Sequence, residues 1–160
     1  MPGEIIIYTD GAARGNPGPG GYGVVLIYRK HRLEKSEGFR LTTNNRMELL
    51  AAIVGLEALK IPGSNVVIYT DSKYVADTVN KGWLFQWESK SFRKKKNPDL
   101  WLRFLKVYRK HKVRFEWIKG HASNPENEKC DQLAVEASKQ NTLSEDTGYN
   151  PEEKTMLLTC

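Results

Sequence analysis

Four acidic residues, Asp10, Glu48, Asp71 and Asp131, stand where carboxylates could do chemistry. Asp10 and Asp71 each follow a short apolar, β-branched run, Ile5–Thr9 and Val66–Tyr69, and ligands of open α/β sheets bind outside the strand ends. Glu48 falls in the first turn of a helical pattern that begins at Asn45, and Asp131 near the start of a final helix. Each also has an ordinary use. Asp10 beside Gly11 can open a turn, and Asp71 can cap the helix that begins near Ser72. Asn45-x-x-Glu48 fits a capping box, and an acid early in a helix complements its dipole, as Asp131 would. If the four converge, the chemistry narrows. Clustered carboxylates cannot all ionise without a cation, and oxygen-only ligation favours Mg²⁺ or Mn²⁺ over zinc. Two such ions about 4 Å apart suit in-line attack on a phosphodiester, one generating hydroxide and the other stabilising the leaving oxygen.

The elements that must position these acids follow from hydrophobic periodicity. Ile5–Thr9, Tyr22–Tyr28 and Leu33–Leu41 read as three consecutive strands with short links, an antiparallel meander. Between the first two, Gly15–Gly21 is dense in turn formers and is expected to be a loop. From Asn45 the period becomes helical, with Leu49, Ile53 and Leu56 on one stripe, until Pro62-Gly63 stops it. Val66–Tyr69 is a strand after that helix, so a right-handed crossover and a parallel pairing are predicted. Short helices over Tyr74–Val79 and Trp83–Trp87, a basic loop over Ser89–Pro98 and a helix over Leu100–His111 follow. A strand over Val113–Ile118 and a helix over Pro125–Lys139 complete one α/β domain with a mixed sheet. Beyond Gln140 the chain turns polar and acidic and is expected to be loosely held. The expected division is a domain over 1–142, with a basic protrusion at about 81–99, and a tail over 143–160.

Composition sets the remaining bounds. The 160 residues are 39% hydrophobic and 28% charged, enough for one packed domain and too apolar for a disordered chain. No run approaches the ~20 apolar residues of a membrane-spanning helix, and Met1-Pro2-Gly3-Glu4 has none of the marks of a secretory signal. Cys130 and Cys160 do not suggest a disulfide, so a reducing cytoplasm is expected. The net charge of +6 is unevenly spread: Lys81 to Lys119 holds 13 basic and three acidic groups, a local net of +10, while the rest is −4. Such a block points to a polyanionic partner, against the plainer reading of a solvated lysine-rich face. Trp83, Trp87 and Trp101 lie within it, and aromatics among cations suit stacking on nucleic acid, although helix packing is the commoner use of Trp.

Six stretches carry a resemblance. Tyr8-Thr-Asp10-Gly-Ala, Asn16-Pro-Gly-Pro-Gly-Gly-Tyr-Gly23, Thr42-Thr-Asn-Asn-Arg-Met-Glu48-Leu, Tyr69-Thr-Asp71-Ser-Lys-Tyr-Val, Trp117-Ile-Lys-Gly-His121-Ala, and Glu126-Asn-Glu-Lys-Cys-Asp131-Gln-Leu-Ala closely resemble, in order, bacterial type 1 ribonuclease H (ribonuclease HI). The likeness runs from about Glu4 to Ala137, and Glu145-Asp-Thr-Gly-Tyr149 is similar to the tail of some bacterial members.

The resemblance implies a ribonuclease H-like fold: a five-stranded mixed sheet, strands 1–3 antiparallel and strands 4 and 5 parallel to strand 1, flanked by helices. It implies a monomeric endoribonuclease that hydrolyses the RNA strand of RNA–DNA hybrids, leaving 5′-phosphate and 3′-hydroxyl ends. Asp10, Glu48, Asp71 and Asp131 become the ligands of two Mg²⁺ ions, for which Mn²⁺ can substitute. His121 becomes a proton shuttle near the scissile site or an aid to product release. Asn16, Asn44 and Asn45 would sit along the minor groove, where reading 2′-hydroxyls distinguishes RNA from DNA. Thr43 and Asn97 would line a pocket for a phosphate of the DNA strand, and Trp83 would pack against DNA sugars. Lys90, Arg93, Lys94, Lys95 and Lys96 would form the protrusion. Lys73 stands where some relatives carry a substrate-contacting Gln, and its cation would meet a phosphate. The competing class is a nucleic-acid-binding module without catalysis, against which the presence of all four acids and His121 argues.

Overall fold

The sheet has the order β3-β2-β1-β4-β5, and its backbone pairing explains how two distant aspartates become neighbours. In the computed structural model, residues 3–120 and 124–151 are described. The strands are β1 (Ile5–Ala13), β2 (Gly18–Tyr28), β3 (His31–Thr42), β4 (Asn65–Thr70) and β5 (Lys112–Trp117). β1, β2 and β3 form the antiparallel meander, and β4 and β5 add parallel to β1. Ile7 pairs with Ile68 and Tyr8 with Tyr69, so Asp10 and Asp71 leave the same end of adjacent parallel strands.

Helices α1 (Asn44–Glu57), α2 (Lys73–Asn80), α3 (Trp83–Ser89), α4 (Pro98–Tyr108) and α5 (Pro125–Ser138) flank the sheet. Val24, Leu49, Ile53, Leu56, Ile68 and Phe104 are buried in one core with Ile7. Each such apolar side chain contributes about 1.5–3 kcal/mol on burial, so packing rather than intrinsic propensity holds α1.

The structure corrects two expectations and decides between the two readings of Trp101. Gly18–Gly21 is the beginning of β2, not loop. Side chains at Gly21 or Gly23 would collide with the carbonyls of Ala134 or Cys130 of α5, and side chains at Gly18 or Gly20 with the carbonyls of Arg14 or Ala12, so the strand is glycine-rich because backbone approaches it closely at each of these positions. Of the three tryptophans, Trp101 is fully buried, stacked edge-on against Trp87 and Phe104. It is core, not a stacking platform. The chain after Gln140, as far as it is described, is also held: Ser144 donates from its N–H to Gly38 and accepts from the Arg40 N–H, both at 2.9 Å, beside β3. Polar composition concealed this, because the segment docks through hydrogen bonds and ions rather than apolar area. The remaining differences are element ends shifted by a few residues. Cys130 is buried and free, its thiol pKa pushed up by burial.

Candidate active site

Carboxylate oxygens of Asp10, Glu48 and Asp71 lie within 4.8 Å of one another. Asp131 lines the same cavity, with Asn44, Asn45, Ser72, Lys73 and Tyr74. Asp10 is a strand residue opposite Gly23, not a turn opener, and its Oδ1 accepts the Gly11 N–H at 3.0 Å. The first turn of α1 passes so near Gly11 that any side chain there would collide with the Glu48 nitrogen and Met47. That close approach brings Glu48 beside Asp10. Neither expected capping role holds. Thr43 caps α1, its hydroxyl accepting the Arg46 N–H at 3.2 Å, which leaves Glu48 free of a capping box. Ser72 caps α2, accepting from the Val75 N–H at 3.2 Å, which leaves the Asp71 side chain facing the cluster.

The electrostatics of this cluster fit a divalent cation. Burial, reinforced by the charges of Asp71 and Asp131, pushes the Asp10 pKa up to about 8. Burial, then the neighbouring Asp10 charge, holds Glu48 well above the ordinary carboxylate range. Glu48 Oε2 is shut off from solvent without a hydrogen-bond partner among the described residues. A buried acceptor without a donor is costly, and a hard cation among oxygen ligands relieves both that cost and the repulsion. Asp10, Glu48 and Asp71, with Asp131 on the same wall, could hold such an ion.

Eight of the twelve sequence-predicted contact residues fall in two adjoining cavities, Asn44, Asn45 and Lys73 in that of the acids. Asn16, Thr43, Asn45, Lys95, Lys96 and Asn97 line a second cavity of about 360 Å³. Asn45 lines both cavities, so they adjoin. Asn16 Oδ1 accepts the Asn44 N–H at 3.1 Å, and Asn44 Oδ1 accepts the Ala13 N–H, tying the β1–β2 turn to α1. Lys90 and Arg93 line a separate hollow with Ser89 and Ser91, and Lys94 is exposed nearby. Ser91, Phe92, Lys94 and Asn97 all adopt left-handed φ of 55° to 62°, a conformation that costs non-glycine residues about 1–2 kcal/mol. Buried Phe92 anchors that strained, cation-bearing turn. Trp83, 39% exposed, has the Lys81 ammonium over its ring, and the Lys73 ammonium sits 4.9 Å from the Trp117 ring centroid. His121 lies outside the described residues.

Sequence reasoning missed Arg46. It is 2% exposed and engages Asp99 and Asp146, each at 2.7 Å. The signal was present as a cation one turn ahead of the apolar stripe of α1, but its partners lie 53 and 100 residues away. Gly11 and Trp117 stand inside the family motifs, yet nothing local in the sequence reveals their physical roles.

With that geometry in view, the likeness to known proteins is specific. Residues 2–139 match the family profile described as RNase H. The chain is 56% identical over 151 residues to a "Ribonuclease H" of Trichodesmium erythraeum, spanning 91% of this chain and 96% of that protein. It is 59% identical over 145 residues to a "Ribonuclease H" of Desulforamulus reducens, spanning 88% and 91%. Among solved structures, LC9-RNase H1, described as a type 1 RNase H with the type 2 active-site motif, superposes with a TM-score of 0.79 at 30% identity, over 90% of this chain and 75% of that one. LC11-RNase H1 in complex with an RNA/DNA hybrid gives 0.63 at 32% identity, over 83% and 95%.

Proposed function

The chain belongs to the RNase H family, and we propose that it cleaves the RNA strand of RNA–DNA hybrids internally with two divalent ions, leaving 5′-phosphate and 3′-hydroxyl ends. The observation that carries this reading is the convergence of Asp10, Glu48 and Asp71 within 4.8 Å beside a cavity fringed by lysines. Asp10, Glu48, Asp71 and Asp131 hold the ions, Mg²⁺ in the cell with Mn²⁺ able to substitute. Bound there, such ions supply an activated water and offset the charge on the leaving 3′-oxygen.

The chain's own groups do the rest. β1 holds Asp10 within a paired strand and β4 delivers Asp71 one residue past its end, so the carboxylates need little reorganisation as charge develops. Asn16, Asn44 and Asn45 contact 2′-hydroxyls in the minor groove, which selects the RNA strand. Thr43 and Asn97 take a phosphate of the DNA strand. Trp83 packs against DNA sugars, and Lys90, Arg93, Lys94, Lys95 and Lys96 hold the duplex by its phosphates. Lys73 is the cation that lines the acid cavity among the described residues, and it meets a phosphate beside the scissile one. His121 moves a proton near the scissile bond or aids product release. The domain spans residues 1–142 with 143–160 as its tail, and it acts as a monomer in the cytoplasm.

A labelled hybrid incubated with Mg²⁺ and then with excess chelator tests the reading. Fragments that carry 5′-phosphates, form only with the metal and come only from the RNA strand are expected. Hybrid binding without any cleavage would instead support a binding module on the same fold.

A further inference from the structure

Arg46 lines the cavity assigned to a DNA phosphate, yet it has no donor left for one. Its Nε donates to Asp146 Oδ2 at 2.7 Å, Nη1 to Asp99 Oδ1 at 3.0 Å and Asn97 Oδ1 at 3.3 Å. Its Nη2 donates to Asp99 Oδ2 at 2.7 Å and Asp146 Oδ1 at 3.0 Å. A guanidinium carries five N–H groups, so all are engaged, and two carboxylates offset its charge. What Arg46 does control is the amide of Asn97. With Oδ1 held by Arg46, the NH₂ group must turn the other way. One hydrogen goes to the Tyr74 hydroxyl at 3.1 Å, itself held by Trp101 Nε1 at 2.8 Å. The second has no acceptor among the described residues, and Asn97 lines the cavity.

We infer that Asp146, on the C-terminal segment, is a positioning residue for hybrid binding: through Arg46 it fixes the Asn97 amide with its donor side toward the cavity. Two further hydrogen bonds seat Asp146 for this task, and a ring contact flanks Arg46. Thr42 Oγ1 donates to its Oδ2 at 2.7 Å, the Tyr149 N–H donates to its carbonyl at 3.0 Å, and the Tyr149 ring lies beside the Arg46 guanidinium. The segment also builds the cavity, because Gly148, Tyr149 and Asn150 form one wall. Gly148 runs so close that a side chain there would strike the Asp99 carboxylate and Arg46 Nη2. Asp99 and Asp146 are thus the two halves of one clamp. The tail supplies one of the two halves, 100 residues along the chain from Arg46.

This inference rests on reading the Thr43–Asn97 cavity as a phosphate pocket, and a double-mutant cycle separates the two. Steady-state cleavage of a hybrid is measured for the full-length protein, Asp146→Asn, Asn97→Ala and the double variant, with folding checked by circular dichroism. Asn97→Ala should raise KM about tenfold at nearly unchanged kcat, the worth of one hydrogen bond to a charged group. Asp146→Asn should raise KM roughly three- to tenfold, and the double variant should match Asn97→Ala alone. Gly148→Ala should mimic Asp146→Asn. A hybrid whose DNA strand carries neutral methylphosphonates should show no difference between Asp146→Asn and the parent protein, which a merely structural role would not predict. If Asn97→Ala leaves KM unmoved, the pocket reading fails. If Asn97→Ala raises KM while Asp146→Asn does not, or the two effects multiply, the positioning inference is overturned.

Discussion

The indole Nε1 of Trp117, the last residue of β5, donates a 3.1 Å hydrogen bond to the carbonyl oxygen of Asp71 at the end of β4. The same ring faces the Lys73 ammonium. One side chain therefore braces both the aspartate backbone and the lysine that lines the acid cavity. Trp117→Phe keeps a face for the cation but loses the donor. It should lower kcat several-fold with little change in KM, while Trp117→Ala should also raise KM by freeing Lys73. Equal kcat for Trp117→Phe and the parent protein would show that the bond does not position Asp71.

Asp10→Asn and Asp71→Asn should each abolish cleavage and leave hybrid binding largely intact, because the amide keeps the volume but not the charge that holds cations. Single-turnover cleavage and a binding titration check this. Retained cleavage near the parent rate in either variant would refute the metal-ligand assignment.

The metal-free protein should lose stability as pH rises. Asp10, with its pKa raised to about 8, holds a proton in the folded state that the unfolded chain has released above about pH 4. Its stabilising contribution is thus complete below about pH 4 and disappears as pH passes 8. In chelator the melting temperature should fall between pH 5 and 8, and the fall should be smaller in Asp10→Asn. His111, held below its ordinary pKa by burial, gives the opposite slope, and it is untouched in that comparison. A parent profile that matches the variant's would remove the case for a strained carboxylate cluster.

Thr43 and Glu48 separate capping from catalysis on one helix. Thr43→Ala should cost about 0.5–2 kcal/mol of stability by removing the α1 cap, and should also weaken hybrid binding if its hydroxyl meets a phosphate. Glu48→Gln should leave melting within about 0.5 kcal/mol or raise it, while eliminating cleavage. Thermal melting and single-turnover kinetics on the same preparations decide the assignment.

Replacing Arg93, Lys94, Lys95 and Lys96 with Ala should weaken hybrids of every sequence alike, since phosphate contacts position a duplex without reading it. The log–log salt slope of binding should become shallower by up to about 0.9 for each phosphate no longer neutralised. Cleavage at saturating enzyme should change far less, because the acids are untouched. An unchanged slope would mean that these cations point away from the substrate.

Much of this molecule was legible in its residues because the relevant signals are local. β-branched runs and the Leu49–Ile53–Leu56 stripe disclosed strands and helix by period alone, and the motifs around Asp10, Glu48, Asp71 and Asp131 disclosed a family with its acids. What sequence alone left open was which ordinary role each acid escapes. Only the folded chain decides that, because a cap is a matter of backbone position: Thr43 and Ser72 take those roles by one residue or a few, and the carboxylates are released to meet. The glycine-rich start of β2 read as loop because its reason is close approach by other backbone, including α5 at Gly21 more than 100 residues away, which no local pattern records. Arg46 is the clearest case. Its charge is neutral to any local pattern, and its meaning arises when α1, the start of α4 and the C-terminal segment arrive at one point and use all five of its donors. Periodicity reports what neighbours along the chain share, whereas a buried ion network reports what tertiary packing brings together.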